Sequence, residues 1–231
     1  GYDILILNNW AQDKSRSSRI RLASGAIMIG VNRDDEHITS LVKQEFPLVF
    51  VGRRKIGNGL PVHCVRFGYE SAVRAVVDRI APYADRSLVY VSSTLSTAEP
   101  TEDKSTFLHR VCSEKGIAVS DVSVADSATP ESIAAVLSSR AVIFDRLFIA
   151  DIFTPIFQKE GMAIGRDVFG AILEDDWTGT HPGWTAWENR RMELGALAVK
   201  NLIAFLSGRD ADTEEVVLPI VERASTGVLA E

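Results

Sequence analysis

Short runs of apolar residues recur along the chain, and within most of them every position is apolar. Examples are Ala26–Val31, Leu48–Val51, Leu88–Val91 and Ala141–Phe144. A strand that is apolar throughout is buried on both faces, and such strands form parallel sheets with helices above and below. Segments with apolar residues at helical spacing, such as Glu70–Ile80, lie between these runs. The sequence therefore predicts an α/β protein with parallel sheets.

Local signals predict where several helices begin and end. Thr129-Pro130-Glu131 combines a cap residue, a proline for the first turn and an acid near the helix dipole. Gly116 and Gly208 follow helical stripes and predict helix ends. Pro155 lies inside one predicted helix and is expected to kink or shorten it. The remaining predicted strands are Asp3–Asn8, Val62–Phe67, Val168–Leu173 and Val216–Val221, and the remaining helices are Asp34–Glu45, Leu147–Lys159 and Asn189–Ser207.

Composition excludes several classes of protein. The chain has 231 residues, of which 46% are hydrophobic and 24% charged, as in ordinary globular proteins. Its net charge of −6 argues against a nucleic-acid surface, which needs clustered Lys and Arg. The start Gly1-Tyr2-Asp3 lacks the cationic segment of a signal peptide, and no apolar stretch approaches the roughly 18 residues of a membrane helix. We therefore expect a cytoplasmic protein without a membrane partner.

The sequence shows no catalytic or metal-binding motif. Its four histidines lack zinc-ligand spacing, and neither a nucleophile elbow nor a phosphate-binding glycine loop is present. Two cysteines, Cys64 and Cys112, are predicted to be reduced core thiols. We expect no cofactor, no metal and no enzymatic activity.

Two irregular stretches indicate a protein built of two lobes. They are residues 92–101, rich in Ser and Thr, and residues 177–187, rich in Trp. A chain that crosses at least twice between two α/β units forms two hinged lobes with a cleft between them.

The C-terminal third carries the most specific pattern. A helix with Glu193-Leu194-Gly195-Ala196-Leu197-Ala198 is followed by Leu206-Ser207-Gly208-Arg209 and then by Val217-Leu218-Pro219-Ile220-Val221-Glu222-Arg223-Ala224-Ser225-Thr226. This arrangement resembles the ending of bacterial transcriptional regulators of the LacI/GalR family, in which the same helix precedes a strand and an R-x-S-T sequence. Looser matches follow in order upstream, including Gly1-Tyr2-Asp3, Phe46–Val51 and Glu160–Val168.

This resemblance implies the type I periplasmic-binding-protein fold, with two Rossmann-like lobes and several crossovers. Residues 1–91 plus 189–207 would form the N-terminal lobe, and residues 92–188 plus 208–231 the C-terminal lobe. The family's helix-turn-helix, hinge helix and first strand–helix pair would precede Gly1, so we expect the native protein to extend N-terminally. The stretch between Asn9 and Ser24 is also short for a crossover helix.

The resemblance also places candidate effector-binding residues in the cleft. Asp175 falls on the first Asp of the family's "FDD" position, and Asp145 and Arg146 fall on an Asn-Asp pair. Asp103 stands where the family commonly has an effector-contacting Arg, which disfavours an anionic effector. Each residue also has a plainer interpretation: Asp175 as a solvated acid, Asp145 and Arg146 as an ion pair at a helix start, and Asp103 as a first-turn acid.

Aromatic residues complete the predicted site. Phe67 and Tyr69 follow a strand that leads into the cleft, and Trp177, Trp184 and Trp187 cluster in the second irregular stretch. Aromatic faces stack on sugar rings, purines or cations. One of these tryptophans is expected at the pocket, and core packing is the alternative for the others.

The sequence thus predicts a regulator, with repression the expected sign. It would bind a sugar, polyol or nucleoside-like effector, form a homodimer and reach operator DNA through the headpiece. Two alternatives stay open: an exported sugar-binding protein of a transport system, and an α/β enzyme, which rests on the fold class alone.

Overall fold

The computed structural model describes residues 3–6, 18–30, 36–54, 56, 59–94, 99–175, 183–210 and 215–227. In chain order the helices and strands are β1 (Ala26–Met28), α1 (Glu36–Lys43), β2 (Leu48–Val51), β3 (Cys64–Phe67), α2 (Tyr69–Ile80), β4 (Ser87–Ser93), α3 (Glu99–Glu114), β5 (Ala118–Val124), α4 (Pro130–Leu137), β6 (Ala141–Phe144), α5 (Leu147–Lys159), β7 (Phe169–Asp175), β8 (Thr185–Trp187), α6 (Arg191–Leu206), β9 (Glu215–Val216) and β10 (Ile220–Val221).

The chain divides into two compact units. The first contains Gly1–Phe67 and Arg191–Val216, and the second contains Gly68–Arg190 and Val217–Glu231. The boundary differs from the expected one near residue 91, because β4 pairs with β5 and β6 and so belongs to the second sheet. Both units are α/β, which confirms the predicted class.

The first unit is built on a parallel sheet of four strands in the order β1-β2-β3-β9. The side chains of successive residues in β2 point to opposite faces of this sheet. Leu48 and Phe50 pack in a core with Ile38 and Leu41 of α1. Val49 packs instead in a core with Leu194 and Ala198 of α6. The run Leu48–Val51 is apolar throughout because helices cover the sheet on both sides.

The second unit is built on six strands in the order β10-β8-β7-β6-β4-β5, of which only β10 runs antiparallel to its neighbour. Val89 and Val91 of β4 pack on one face, in a core with Phe153 and Phe157 of α5. The alternate residue Leu88 is equally buried and points to the other face. The helices α2 and α3 pack against each other, and α2 also contacts β7.

The predicted strand Val216–Val221 is two short strands in different sheets. β9 pairs with β3 in the first unit, whereas β10 pairs with β8 in the second. Pro219 lies between them and has no N–H to donate to a ladder. The strand prediction was therefore wrong about continuity.

The R-x-S-T sequence anchors the C-terminal segment to the second sheet. The Ser225 hydroxyl donates to the main-chain oxygen of Gly170 over 2.7 Å and accepts from the N–H of Thr185 over 2.8 Å. Arg223 donates to the main-chain oxygen of Trp184 over 2.7 Å. Ser225 is fully buried, and the main-chain groups it satisfies belong to β7 and β8.

Other sequence predictions have mixed outcomes. Thr129 caps α4 through a capping box with Ser132, as the cap signal predicted. Pro155 lies inside α5 without shortening it. The strand predicted at Asp3–Asn8 is wrong for its described residues 3–6, which have no regular structure and leave Ile4 and Ile6 exposed. Both thiols are free, and of the two only Cys112 is fully buried. No helix in the described ranges is long and apolar enough to cross a membrane.

Candidate ligand-binding site

Polar side chains meet at the carboxyl edge of the six-stranded sheet. Asp145 and Arg146 directly follow β6, Asp175 ends β7, and Trp187 ends β8. Because β6, β7 and β8 are parallel neighbours, their carboxyl ends lie at one edge. Open α/β sheets bind their ligands at this edge.

A buried ion pair lies beneath this edge. The ammonium of Lys104, on α3, is 2.6 Å from Asp145 Oδ1, and the two side chains are 5% and 0% exposed. Lys104 Nζ also donates to the main-chain oxygens of Asp145, over 2.8 Å, and Leu173, over 3.0 Å. Three hydrogen bonds use all three ammonium protons. Burial lowers the pKa of Lys104, and the Asp145 carboxylate opposes that shift. The pair ties α3 to the ends of β6 and β7.

Both carboxylate oxygens of Asp145 are engaged. Tyr90 donates its hydroxyl to Oδ1 over 3.1 Å, and Thr101 donates to Oδ2 over 3.2 Å. The guanidinium of Arg146 lies 3.6 Å from Oδ2. Burial raises the pKa of the Tyr90 hydroxyl, and the charge of Asp145 raises it further. The carboxylate of Asp145 thus holds the side chains of Lys104, Tyr90, Thr101 and Arg146 around the end of β6.

Arg146 is oriented by a second acid. Its Nη1 lies 3.1 Å from Glu174 Oε1. The other oxygen of Glu174 accepts the N–H of Leu147 over 2.9 Å, at the first residue of α5. A carboxylate there is stabilised by the positive end of the helix dipole.

Tyr69, the first residue of α2, is close to these charges. Burial raises the pKa of its hydroxyl to about 12. Its ring centroid is 5.6 Å from that of Trp187, at an interplanar angle of 32°. Its hydroxyl also interacts electrostatically with four of the predicted site residues, namely Arg146, Asp103, Asp145 and Asp175.

The structure therefore brings five of the eight predicted residues together, namely Tyr69, Asp103, Asp145, Arg146 and Asp175. Trp184 lies in the core, 1% exposed, with its ring edge-on to Phe144 and its indole N–H donating to Thr154 over 2.9 Å. Phe67 ends β3 in the first unit, where it packs on the core around Val65. Trp177 lies outside the described residues.

Lys104 was not predicted as a site residue, although its position along the sequence carried a signal. Lys104 stands one helical turn before Leu108 and two before Val111, in line with a stripe that is fully buried. A lysine on a buried stripe needs a buried acid. Trp187 was named only as one of three tryptophans, and nothing in the sequence distinguished it from Trp184.

The charge of this edge favours one class of ligand. It carries four carboxylates and two cationic side chains. The carboxylates are Asp103, Asp145, Glu174 and Asp175, and the cations are Lys104 and Arg146. Carboxylates accept hydrogen bonds from hydroxyl groups and repel anions. No group of three or more potential metal ligands occurs within the part of the chain that the structure describes.

Solved regulators of the LacI family have a similar fold. The transcription regulator CcpA of Lactococcus lactis matches with a TM-score of 0.69 at 17% identity, over 95% of this chain and 86% of that one. A periplasmic binding protein/LacI transcriptional regulator from Alkaliphilus metalliredigens, complexed with D-xylulofuranose, gives 0.70 at 13% identity, over 92% and 84%. A dimeric Lac repressor with a C-terminal deletion gives 0.69 at 14% identity, over 92% and 82%.

These likenesses confirm the predicted type I periplasmic-binding-protein fold and, at the level of the fold, the resemblance to LacI-family regulators. No protein-family model matches the chain, and a search of curated proteins gives no match.

Proposed function

We propose that this chain is the effector-binding part of a transcriptional regulator. Its ligand is a small, neutral, polyhydroxylated molecule such as a sugar, a polyol or a nucleoside. The ligand binds at the carboxyl edge of the six-stranded sheet, and the protein works in the cytoplasm. The observation that carries the proposal is the convergence of Tyr69, Asp103, Asp145, Arg146 and Asp175 at this edge.

The geometry favours binding over catalysis. The buried base and acid, Lys104 and Asp145, are engaged with each other and with hydroxyl or main-chain groups. A proton-transfer catalyst needs such a group within reach of its substrate. Asp103 and Asp175 stand at positions that the resemblance assigns to effector contact, and their carboxylates would accept hydrogen bonds from ligand hydroxyl groups.

A thermal-shift screen tests the ligand class. The panel contains D-xylulose, D-ribose, D-glucose, sorbitol and adenosine, together with ribose 5-phosphate and glucose 6-phosphate as anionic counterparts. A ligand present at about 100 times its Kd stabilises the native state by roughly 2.7 kcal/mol. We expect at least one neutral compound to raise Tm and its phosphorylated counterpart to have no effect. A panel without any shift at saturating concentrations contradicts the proposal.

A matched pair of variants locates the binding. Asp175→Asn should weaken affinity for the neutral compound at least tenfold, because hydrogen bonds to a charged acceptor contribute roughly 1.5–3 kcal/mol. Asp126→Asn changes an exposed carboxylate outside the cluster and should leave affinity unchanged. Equal effects of the two substitutions would argue against this edge.

Oligomeric state and genomic context test the regulatory role. The dimeric Lac repressor of similar fold supports the proposal of a homodimer, which suits two-fold symmetric operators. Light scattering coupled to gel filtration should give twice the chain mass. A helix-turn-helix upstream of Gly1 supports operator binding, whereas a signal peptide there favours the transport alternative.

A further inference from the structure

Trp187 carries a buried polar atom without a partner. The side chain is 3% exposed, and its Nε1 has no hydrogen-bond partner within the described ranges. By contrast, the buried indole of Trp184 donates to Thr154. A buried donor left unsatisfied costs roughly 1–3 kcal/mol, so native proteins rarely contain one without a reason.

The position of Trp187 supplies that reason. It ends β8 at the carboxyl edge, and its Cα pairs in register with that of Asp175 on β7. Its ring lies against that of Tyr69, whose hydroxyl interacts with the charges of the candidate site. The unpaired N–H is therefore within the residue cluster that the proposed function assigns to ligand binding.

We propose that Trp187 donates its indole N–H to the bound ligand and selects for a neutral oxygen acceptor. This inference rests on the proposed function and names the group that the ligand must present. An indole N–H can only donate, whereas the neighbouring carboxylates of Asp175 and Asp103 can only accept. A hydroxyl group, which does both, satisfies the two kinds of partner at once.

The aromatic pair adds a second selection. The ring of Tyr69 is tilted by 32° to that of Trp187, and because Tyr69 is only partly buried it offers an apolar surface beside the donor. Such a surface suits the C–H face of a sugar ring. A cyclic polyol or sugar with an acceptor oxygen at the edge of that face is therefore preferred over an open-chain polyol such as sorbitol.

Two matched substitutions test the assignment in the full chain. Trp187→Phe and Trp184→Phe remove the same atoms from two buried sites, but only Trp184 loses an observed hydrogen bond. Calorimetry measures the Kd of each for D-xylulose, D-ribose and D-glucose, and urea unfolding measures the stability of each without ligand. We expect Trp187→Phe to weaken binding about tenfold, and Trp184→Phe to leave Kd within about twofold while losing more stability.

Together the outcomes distinguish failure of this assignment from failure of the proposed function. If no neutral compound of the thermal-shift panel binds the wild-type chain, the proposed function fails and the assignment fails with it. If sorbitol or adenosine binds but none of the three sugars does, only the assignment is overturned. If a sugar binds wild type and Trp187→Phe equally, only the assignment is overturned. If the two substitutions weaken binding equally, Trp187 acts through packing, and the assignment is again overturned.

Discussion

Lys104 and Asp145 are buried charges, and each is compensated by several hydrogen-bonding partners. The ammonium satisfies one carboxylate oxygen and two main-chain oxygens, and the carboxylate has further partners in Tyr90 and Thr101. Removing one member of a buried pair costs far more than removing both, because the remaining charge is left without compensation.

Lys104→Met should therefore lower the free energy of unfolding by about 3–5 kcal/mol. The double variant Lys104→Met/Asp145→Asn should recover much of that loss, because neither charge then remains buried. Urea unfolding of the two variants and the wild type checks both statements. If the double variant is no more stable than the single one, the uncompensated charge is not the cause.

Close packing of neighbouring strands requires a glycine at position 170. A Cβ there would collide with the main-chain oxygen of Val142 on the neighbouring strand, whereas a Cβ at Gly195, on the exposed face of α6, meets nothing. Gly170→Ala should destabilise the protein by at least about 1–3 kcal/mol. Gly195→Ala should stabilise it by roughly 0.5–1 kcal/mol, because alanine is the better helix former. Similar Tm values for the two variants would contradict the observed strand contact.

Position after a strand was one signal that predicted site residues. Asp145, Arg146 and Asp175 follow apolar runs, so their place at a sheet edge was evident. Trp184 and Trp187 are three residues apart, yet one lies in the core and the other contacts Tyr69. Their difference depends on which face of the sheet each ring joins, and that is set by packing partners distant in sequence.

Helices and strands were predicted best where burial is complete on both sides. The bounds of β2, β6 and α5 agree with the apolar runs and stripes of the sequence. β5 was not predicted because it lies at the edge of the sheet and carries exposed polar residues. β8 has only three residues, too few to show a period.

One contact between elements is expected to make stability depend on pH. His109 of α3 donates from Nε2 to a carboxylate oxygen of Asp121 on β5 over 2.9 Å, and from Nδ1 to the main-chain oxygen of Ser105 over 2.8 Å. Partial burial lowers the pKa of His109, but these hydrogen bonds together raise it above its ordinary value. A raised folded-state pKa means that the contact stabilises most below the unfolded-state value of about 6.5.

Stability should therefore fall as pH rises from about 6 through the folded-state pKa of His109. The loss should stay below about 1 kcal/mol, because both side chains are partly exposed. Urea unfolding of wild type and Asp121→Asn at several pH values measures it. The difference between the two proteins should shrink toward high pH, and a constant difference would show that the imidazolium contributes nothing.

Over the whole molecule, the chain passes between the two units three times, after Phe67, Arg190 and Val216. The sequence predicted repeated crossing from its irregular stretches, but it placed the first crossing beyond β4. Strand runs such as Leu88–Val91 look alike whichever sheet they join, because parallel strands buried on both faces have the same composition. Which sheet takes a strand depends on pairing with residues far along the chain.

A chain truncated after Val216 tests this division. It retains β9 for the first unit but lacks β10, Leu218 and the buried hydroxyls of Ser225 and Thr226. We expect amide hydrogen exchange, followed peptide by peptide, to lose protection in the second unit while residues 36–67 and 191–206 keep theirs. Equal loss in both units, or none in either, would contradict the division.

The order of segments along the chain also governs synthesis on the ribosome. The first 67 residues leave the exit tunnel long before α6 and β9, which complete their core. At the usual rate of translation the delay is on the order of ten seconds. During that interval the faces of β2 and β3 that pack on α6 remain uncovered. We therefore expect the nascent chain to bind chaperones that shield hydrophobic segments until the C-terminal residues emerge.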